Sequence, residues 1–521
     1  MDRSGAKTVR MCELMGTLSF ANDLGQGQPL EQAQRMGLLA VAMGRALGLP
    51  REAQREGFYA SMLRTVGCSA DAHGNGQLWG DELEVSTWMA EIDMGKPAKA
   101  FSAIVSRLGK GQPRRLAKLL RTLAAMPGMM GNITVHCELG RMLAVQLGLP
   151  DSVQAALEQM YERWDGKGIP GKRKREQIAV GARLSHIVGC IEIHHRLYGL
   201  DAARAVVQER SGGQLDPEMA ECFEKSHTEI VKAVETPSIW SAMLEAEPAP
   251  PLCVEEARIE EALRAMAEYG DLRSHFRRGH SAAVAYLAET AAASLGVSRT
   301  DRLALRNAAL LHDLGLCGVP SGIIDKPGPL SEAEWERMRL HAYYTERILE
   351  RCAALADARE IASMAHERLD ASGYHRRLSR AAISVLGRIL AAADAYRSMT
   401  EPRSHRPARS PDEAAAELRK DVAAGKLERE AVDAVLTAAG QAPQRHARTV
   451  HPGGLSEREV EVLKYVARGL TNKEVAQKLN LSPRTVGNHL QSIFAKAGVT
   501  TRAGAALFAM QNDMLWDPVR D

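Results

Sequence analysis

The chain carries one unit twice, and that duplication limits its fold more than any other feature. Leu47-Gly48-Leu49 can be laid on Leu295-Gly296-Val297, and the register then holds without gaps on both sides. Further along, His136 falls on His341, and residues 161–188 fall on 366–393. This last pairing has eight identities in 28 positions, where average composition gives about two by chance. The first copy holds roughly forty extra residues, within a stretch from Asp71 to Gly131 that carries no readable motif. Both copies must bury their apolar faces by the same rules.

Those faces are helical. Apolar residues recur at helical spacing from Leu30 to Leu47, from Arg51 towards Val66 and from Val135 to Leu147. Stops follow at Gly48 and Pro50, at Gly67, and at Gly148-Leu149-Pro150. Aromatics are only 4% and strand signals are nearly absent, so the expected class is all-α. At 521 residues the chain exceeds what one core organises. Glu247-Pro248-Ala249-Pro250-Pro251 cannot continue a helix and separates the copies. Gly440 to Gly454, with Arg445, His446 and Arg448, separates the second copy from a C-terminal unit. The expected domains are 1–245, 246–440, a linker at 441–454, and 455–521. A net charge of +3 gives no global field for nucleic acid, so any basic surface is local. Eight scattered cysteines without a C-x-x-C pair, no signal peptide and no membrane-length apolar run predict a soluble, cytoplasmic protein with free thiols.

The second copy holds a candidate metal centre. His312-Asp313 closes an apolar helix ahead of Gly315, where an imidazole and a carboxylate can reach one cation. His280 opens a helix running through Val284, Leu287 and Ala291. His341 follows Ser331, a predicted N-cap with Glu334 three residues on. His366 begins His366-Glu367-Arg368, and Asp394 ends a run of alanines. Four His and two Asp suffice for one metal, or for two sharing Asp313, an arrangement suited to phosphate esters.

These residues resemble the HD superfamily of metal-dependent phosphohydrolases, and more closely its HD-GYP branch. The resemblance covers about 275–440 and is carried by His312-Asp313, Val319-Pro320, Ile324, Lys326-Pro327-Gly328-Pro329-Leu330 and His366-Glu367-x-x-Asp370. It implies an all-helical domain and hydrolysis of phosphoester bonds, of cyclic di-GMP in the HD-GYP branch. The implied metal ligands are His280, His312, Asp313, His341, His366 and Asp394, holding one or two divalent ions such as Mn, Fe or Mg. His312 and Asp313 are the candidates for a catalytic role. Leu316 stands where the branch has Lys, Ala365 where it has His, Ala371 where it has Gly, and His375 where it has Pro. These departures favour a site that keeps a metal over one that turns over a cyclic dinucleotide. In the first copy the matching positions read Gln32, Arg64-Thr65, His136, Tyr161 and Gly189, one ligand of six. That copy is expected to keep the fold without the metal chemistry. His194-His195, adjacent on a helix, point apart and read as packing or surface residues.

The C-terminal unit is a helix-turn-helix by pattern. Ser456 with Glu459 forms a capping box, and Thr471 begins a two-turn helix. Ser482 with Pro483 then starts a third helix that ends at Gly498, and a fourth begins near Arg502. Val475, Ala476, Leu479, Val486, Leu490 and Ile493 are expected to pack the pair, leaving Arg484, Thr485, Asn488, His489 and Gln491 outward. Eight Lys or Arg against four Asp or Glu between 455 and 512 make this region locally basic. It resembles the LuxR-type helix-turn-helix, through Leu455-Ser456-x-Arg458-Glu459, Gly469-Leu470-Thr471-Asn472-Lys473-Glu474-Val475-Ala476, Leu481-Ser482-x-x-Thr485-Val486 and Ile493-Phe494-x-Lys496-x-Gly498-Val499. The resemblance implies major-groove reading of double-stranded DNA by the third helix and dimerisation through the fourth. Expected DNA contacts are Thr471, Lys473, Ser482, Arg484, Thr485, Asn488, His489 and Lys496. The combined expectation is a homodimeric transcription regulator whose two tandem HD-type domains sense a metal or a phosphorylated small molecule such as a nucleotide. The alternative is a phosphohydrolase carrying a DNA-binding tail.

Overall fold

The computed structural model describes residues 8–107, 134–440, 451–479, 481–512 and 514–515. Among them helices dominate, and strand pairing is limited to Val9–Arg10 against Cys253–Val254. The chain divides into two compact units, Met1–Ile259 and Glu260–Asp521. Most of the interval expected as a linker, residues 441–450, lies outside the described residues, as does 108–133 of the motif-less stretch.

In the first unit, helices Gln32–Ala46, Arg51–Met62 and Val180–Tyr198 pack on one another. Met36, Leu39, Leu184, Ile187, Ile191 and Phe223 form their buried core. The helix expected to run towards Val66 ends at Met62 instead, and the chain tightens into a 3-10 turn at Val66–Asp71. In the second unit His280–Ser294 packs against Arg299–Leu311, Val385–Thr400 and Arg429–Gly440.

The repeat read from sequence recurs in local geometry. Gly48 and Gly296 both sit past a helix end, at φ +67° and +71°, where glycine alone adds no side-chain clash. Asp23 accepts the Ala33 amide and Asp271 the Ser281 amide, each at 3.1 Å. Gly67 lies against the carbonyl of His136 and Gly315 against that of His341. A Cβ added at either glycine would stand 1.9 or 2.0 Å from the carbonyl oxygen. This contact fixes the helix holding His341 against the turn after His312-Asp313.

The C-terminal region forms four helices, Glu457–Ala467, Asn472–Leu479, Pro483–Ala497 and Arg502–Gln511. The capping box Ser456–Glu459 forms as expected, the Thr471 hydroxyl accepts the Glu474 amide, and Ser482 accepts the Thr485 amide. Leu463, Val466, Val475, Val486, Leu490 and Ile493 are buried between the helices. No helix among the described residues is long and apolar enough to cross a membrane.

Candidate metal centre and nucleic-acid interface

The six residues expected as ligands converge in the second unit. Their ligand atoms form two groups that share one residue: His280, His312, Asp313 and Asp394, and Asp313, His341 and His366. Helix Arg299–Leu311 delivers His312 at its C-terminus, and His341 projects from Glu332–Leu349. Asp394 sits inside helix Val385–Thr400, at the end of its run of alanines. His280 Nε2 lies 3.2 Å from Asp394 Oδ1 and 3.6 Å from Asp313 Oδ2. His312 Nε2 is 3.2 Å from Asp313 Oδ2, and His341 Nε2 is 3.5 Å from Asp313 Oδ1. His366 Nδ1 is 3.5 Å from Asp394 Oδ2.

The rings are held in one orientation by partners on their outer sides. His312 Nδ1 meets the Ala309 carbonyl at 2.7 Å and His341 Nδ1 the Met338 carbonyl at 2.6 Å. His280 Nδ1 meets Glu401 Oε2 at 2.7 Å. A carbonyl can only accept, so Nδ1 of His312 and of His341 carries the proton and their Nε2 lone pairs face the centre, as in metal-bound imidazoles, while His280 stands between two carboxylates, Glu401 at Nδ1 and Asp394 at Nε2. His312 Nε2 is buried without a hydrogen-bond partner. His341 and His366 approach to 2.8 Å through their Nε2 atoms, an arrangement in which two lone pairs need a proton or a cation. Burial pushes His366 down to about 3 and lowers His341 strongly, so both rings are neutral donors. Burial would raise Asp394 and Glu401, but the surrounding histidines, with Arg397 and Arg403 at Glu401, hold both carboxyls well below the usual range. The donor set therefore fits a divalent cation.

Two partners escaped the sequence reading. Glu401 lies seven residues after Asp394, two turns along the same face, which was the readable signal for it. Arg277, three residues before His280, pairs its guanidinium with Asp313 and is buried among Asp271, Asp394 and Glu401. Nothing in its local sequence marks it. Around the site, Tyr374 stacks on His366 with centroids 5.0 Å apart and planes 5° from parallel. Glu367 accepts the amides of Arg376 and Leu378, each at 2.8 Å, and so pins the loop that carries Tyr374. Leu316 is buried with Val319 and Ile323, away from any role with an anion.

The first copy has filled its centre. A Cβ at Gly189, the position matching Asp394, would stand 1.7 Å from Arg64 Nη1, so the guanidinium takes the space of that side chain. Arg64 also donates to the Ser185 carbonyl at 3.0 Å. His194 is buried with Nδ1 on the Cys190 carbonyl at 2.9 Å, an ordinary packing role.

On the tail, Lys473, Arg484 and Asn488 are exposed, and Thr485 and His489 are half-buried. Thr471 and Ser482 spend their hydroxyls on caps. Lys496 is engaged inside the domain, 2.9 and 2.7 Å from the two Glu459 oxygens. Most of the fourth helix from Gly504 to Met510 is buried within the single chain. Arg278, two residues before His280, donates to the Ala467 carbonyl, so the tail touches the loop that carries a candidate ligand.

The chain matches the family model described as HD domain over residues 98–218 and 261–430, and that described as Bacterial regulatory proteins, luxR family, over 454–509. It is 29% identical over 425 residues to the 3'3'-cGAMP-specific phosphodiesterase 3 of Vibrio cholerae, spanning 80% of this chain and 92% of that one. It is 34% identical over 204 residues to a cyclic di-GMP phosphodiesterase of Thermotoga maritima, spanning 38% of this chain and 54% of that one. Among solved structures it is similar to a cyclic GMP-AMP specific phosphodiesterase of V. cholerae, with TM-score 0.58 and 26% identity, covering 84% of this chain and 99% of that one.

Proposed function

The chain belongs to the HD domain family, and from that we propose that its second copy is a divalent-metal centre acting on the phosphodiester of a cyclic dinucleotide, joined to a tail that binds double-stranded DNA. The reading rests on the two ligand groups that share Asp313 and on the buried, partnerless Nε2 of His312. When bound, one or two ions of the Mn, Fe or Mg type supply Lewis-acid chemistry towards a phosphate ester. The chain's own residues do the rest. His280, His312, His341 and His366 offer ring nitrogens, while Asp313 and Asp394 offer carboxylates. Glu401 and the carbonyls of Ala309 and Met338 hold the rings. Tyr374 lines the approach beside His366, and Arg277 neutralises Asp313 until another cation takes its place. The named substrates of the relatives favour a 3'3'-linked cyclic dinucleotide.

Full-length protein with Mn²⁺ is expected to open 3'3'-cGAMP or cyclic di-GMP to a linear dinucleotide, and Asp313→Ala to lose this. Wild-type protein that neither retains metal nor binds either nucleotide would overturn the proposal. A second reading, binding without turnover, is favoured by the Arg277–Asp313 pair and by the buried Leu316. It predicts DNA binding that changes with nucleotide while no product forms. Under either reading the protein is a DNA-binding regulator whose HD half reports ligand state, through the contact of Arg278 with the tail. Deleting 455–521 is expected to abolish specific DNA binding. Two tails on one two-fold site make the active species a homodimer, which sedimentation of the DNA-bound protein tests.

A further inference from the structure

The centre of the first copy has no part in the proposed function, yet it is chemically loaded. Cys68 Sγ lies 2.9 Å from the Tyr161 phenol oxygen. His136 Nε2 lies 2.9 Å from Asp71 Oδ2, while Nδ1 of the same ring is buried with no hydrogen-bond partner. Cys68, His136, Tyr161 and Arg64 line one cavity of about 10 Å³. Cys68 is half-buried as a residue, and it borders this cavity. Arg64 already places a fixed cation at this centre, which opposes a divalent metal and favours an anion.

We propose that Cys68 is a nucleophilic thiolate, activated by the His136–Asp71 pair, and that hydrogen peroxide modifies it. The arrangement is that of an activated cysteine: a nucleophile beside an imidazole whose far nitrogen is oriented by a carboxylate. Tyr161 is placed to donate its hydroxyl proton to the thiolate. Burial would raise the Cys68 thiol, but the charge of His136 and the hydrogen bond with Tyr161 outweigh it and bring it below its ordinary value. Burial likewise lowers His136, and Cys68 with Asp71 reverses this, up to about 10. Of the other groups facing the centre, Arg64 favours the thiolate. Burial pushes Cys137 up to about 12, so it stays a neutral thiol.

In the reaction the Cys68 sulfur attacks one peroxide oxygen. The S–O bond forms as the O–O bond breaks, and the departing hydroxide takes the His136 proton to become water. The sulfur is oxidised by two electrons to a sulfenic acid and the peroxide is reduced, with neutral imidazole left behind. This assignment does not depend on the metal or nucleotide reading of the second copy.

Exposed Cys253 is the internal control, because its reactivity follows exposure alone. Full-length protein is treated with H2O2 at pH 7, trapped with dimedone and read by peptide mass spectrometry. Cys68 is expected to react at least tenfold faster than Cys253. His136→Gln and Asp71→Asn are each expected to slow Cys68 about tenfold or more while leaving Cys253 unchanged. Should those variants fail to fold, the wild-type iodoacetamide profile decides the matter. Alkylation of Cys68 at pH 7 is expected to outpace that of the exposed Cys253. A Cys68 that reacts no faster than Cys253 would overturn the assignment.

Discussion

Replacing Glu401 by Gln asks whether the His280 ring is held in place for a metal. The carboxylate accepts the Nδ1 proton at 2.7 Å, against a ring that is fully buried. Gln keeps an acceptor oxygen, so the tautomer survives. What goes is the negative charge that makes Nε2 a better donor, and with it the neutralisation of Arg397 and Arg403, paired to Glu401 at 3.0 and 3.1 Å. Loss of such an outer partner costs about 10–100-fold in metal affinity, or about 1.4–2.7 kcal/mol. Ala removes the acceptor too and leaves a buried N–H unpaired, adding about 1–3 kcal/mol of lost stability. The two variants therefore separate affinity from folding. Mn²⁺ affinity is measured by chelator competition at pH 7.5, with thermal unfolding in EDTA as the folding control. If Glu401→Gln binds Mn²⁺ within twofold of wild type while Asp313→Ala does not bind it, Glu401 has no part in the site. If Asp313→Ala binds as well as wild type, there is no site of this description.

Gly189→Ala should cost about 1–3 kcal/mol through its clash with Arg64, and adding Arg64→Ala should restore much of it. Strictly additive losses in denaturant melts would refute that steric coupling. On DNA, Lys473→Ala should lower the salt slope by about one, whereas Arg484→Ala and Asn488→Ala should each cost about 1–3 kcal/mol at particular bases. Unchanged sequence discrimination in both of the latter would remove the helix Pro483–Ala497 as the reader. Burial would raise Glu459, but Lys496 and the Ser456 amide outweigh it and hold the carboxyl down to about 2, from an ordinary value of 4.5. Its stabilising contribution is therefore present above pH 4.5 and is lost as pH falls towards 2. Hydrogen exchange across 455–512 should accelerate over that window in wild type, and the pH dependence should flatten in Glu459→Gln. EDTA should lower the Tm of wild type and leave that of Asp313→Ala unmoved; equal responses would contradict metal binding at Asp313.

Much of this was legible because the chain carries its own comparison. His312-Asp313 set against Arg64-Thr65 separates fold-making from chemistry-bearing positions without any second protein. The caps at Ser331, Ser456 and Ser482 were readable for a local reason, since a hydroxyl three residues ahead of its amide partner needs no tertiary information. Lys496 was assigned to phosphate because its ion pair with Glu459 spans 37 residues and has no periodic trace. Arg277 and Cys68 stayed hidden for the same reason: each acts through a partner brought near only by folding. The cavity around Cys68 exists because Gly67 packs on the His136 carbonyl, a contact with no sequence signature in one copy taken alone.

Arg64 and a bound divalent ion differ in one respect that matters to a cell. The guanidinium is part of the chain, so its charge is present at every concentration of everything else. An ion at the second centre contributes by mass action, as RT ln(1 + [M]/Kd), and that contribution vanishes when the free metal falls below Kd. On the proposed reading, duplication has produced one half whose centre is filled by a constitutive guanidinium and one that draws a further charge from its surroundings. On that reading the second could register scarcity of the ion, and the first could not.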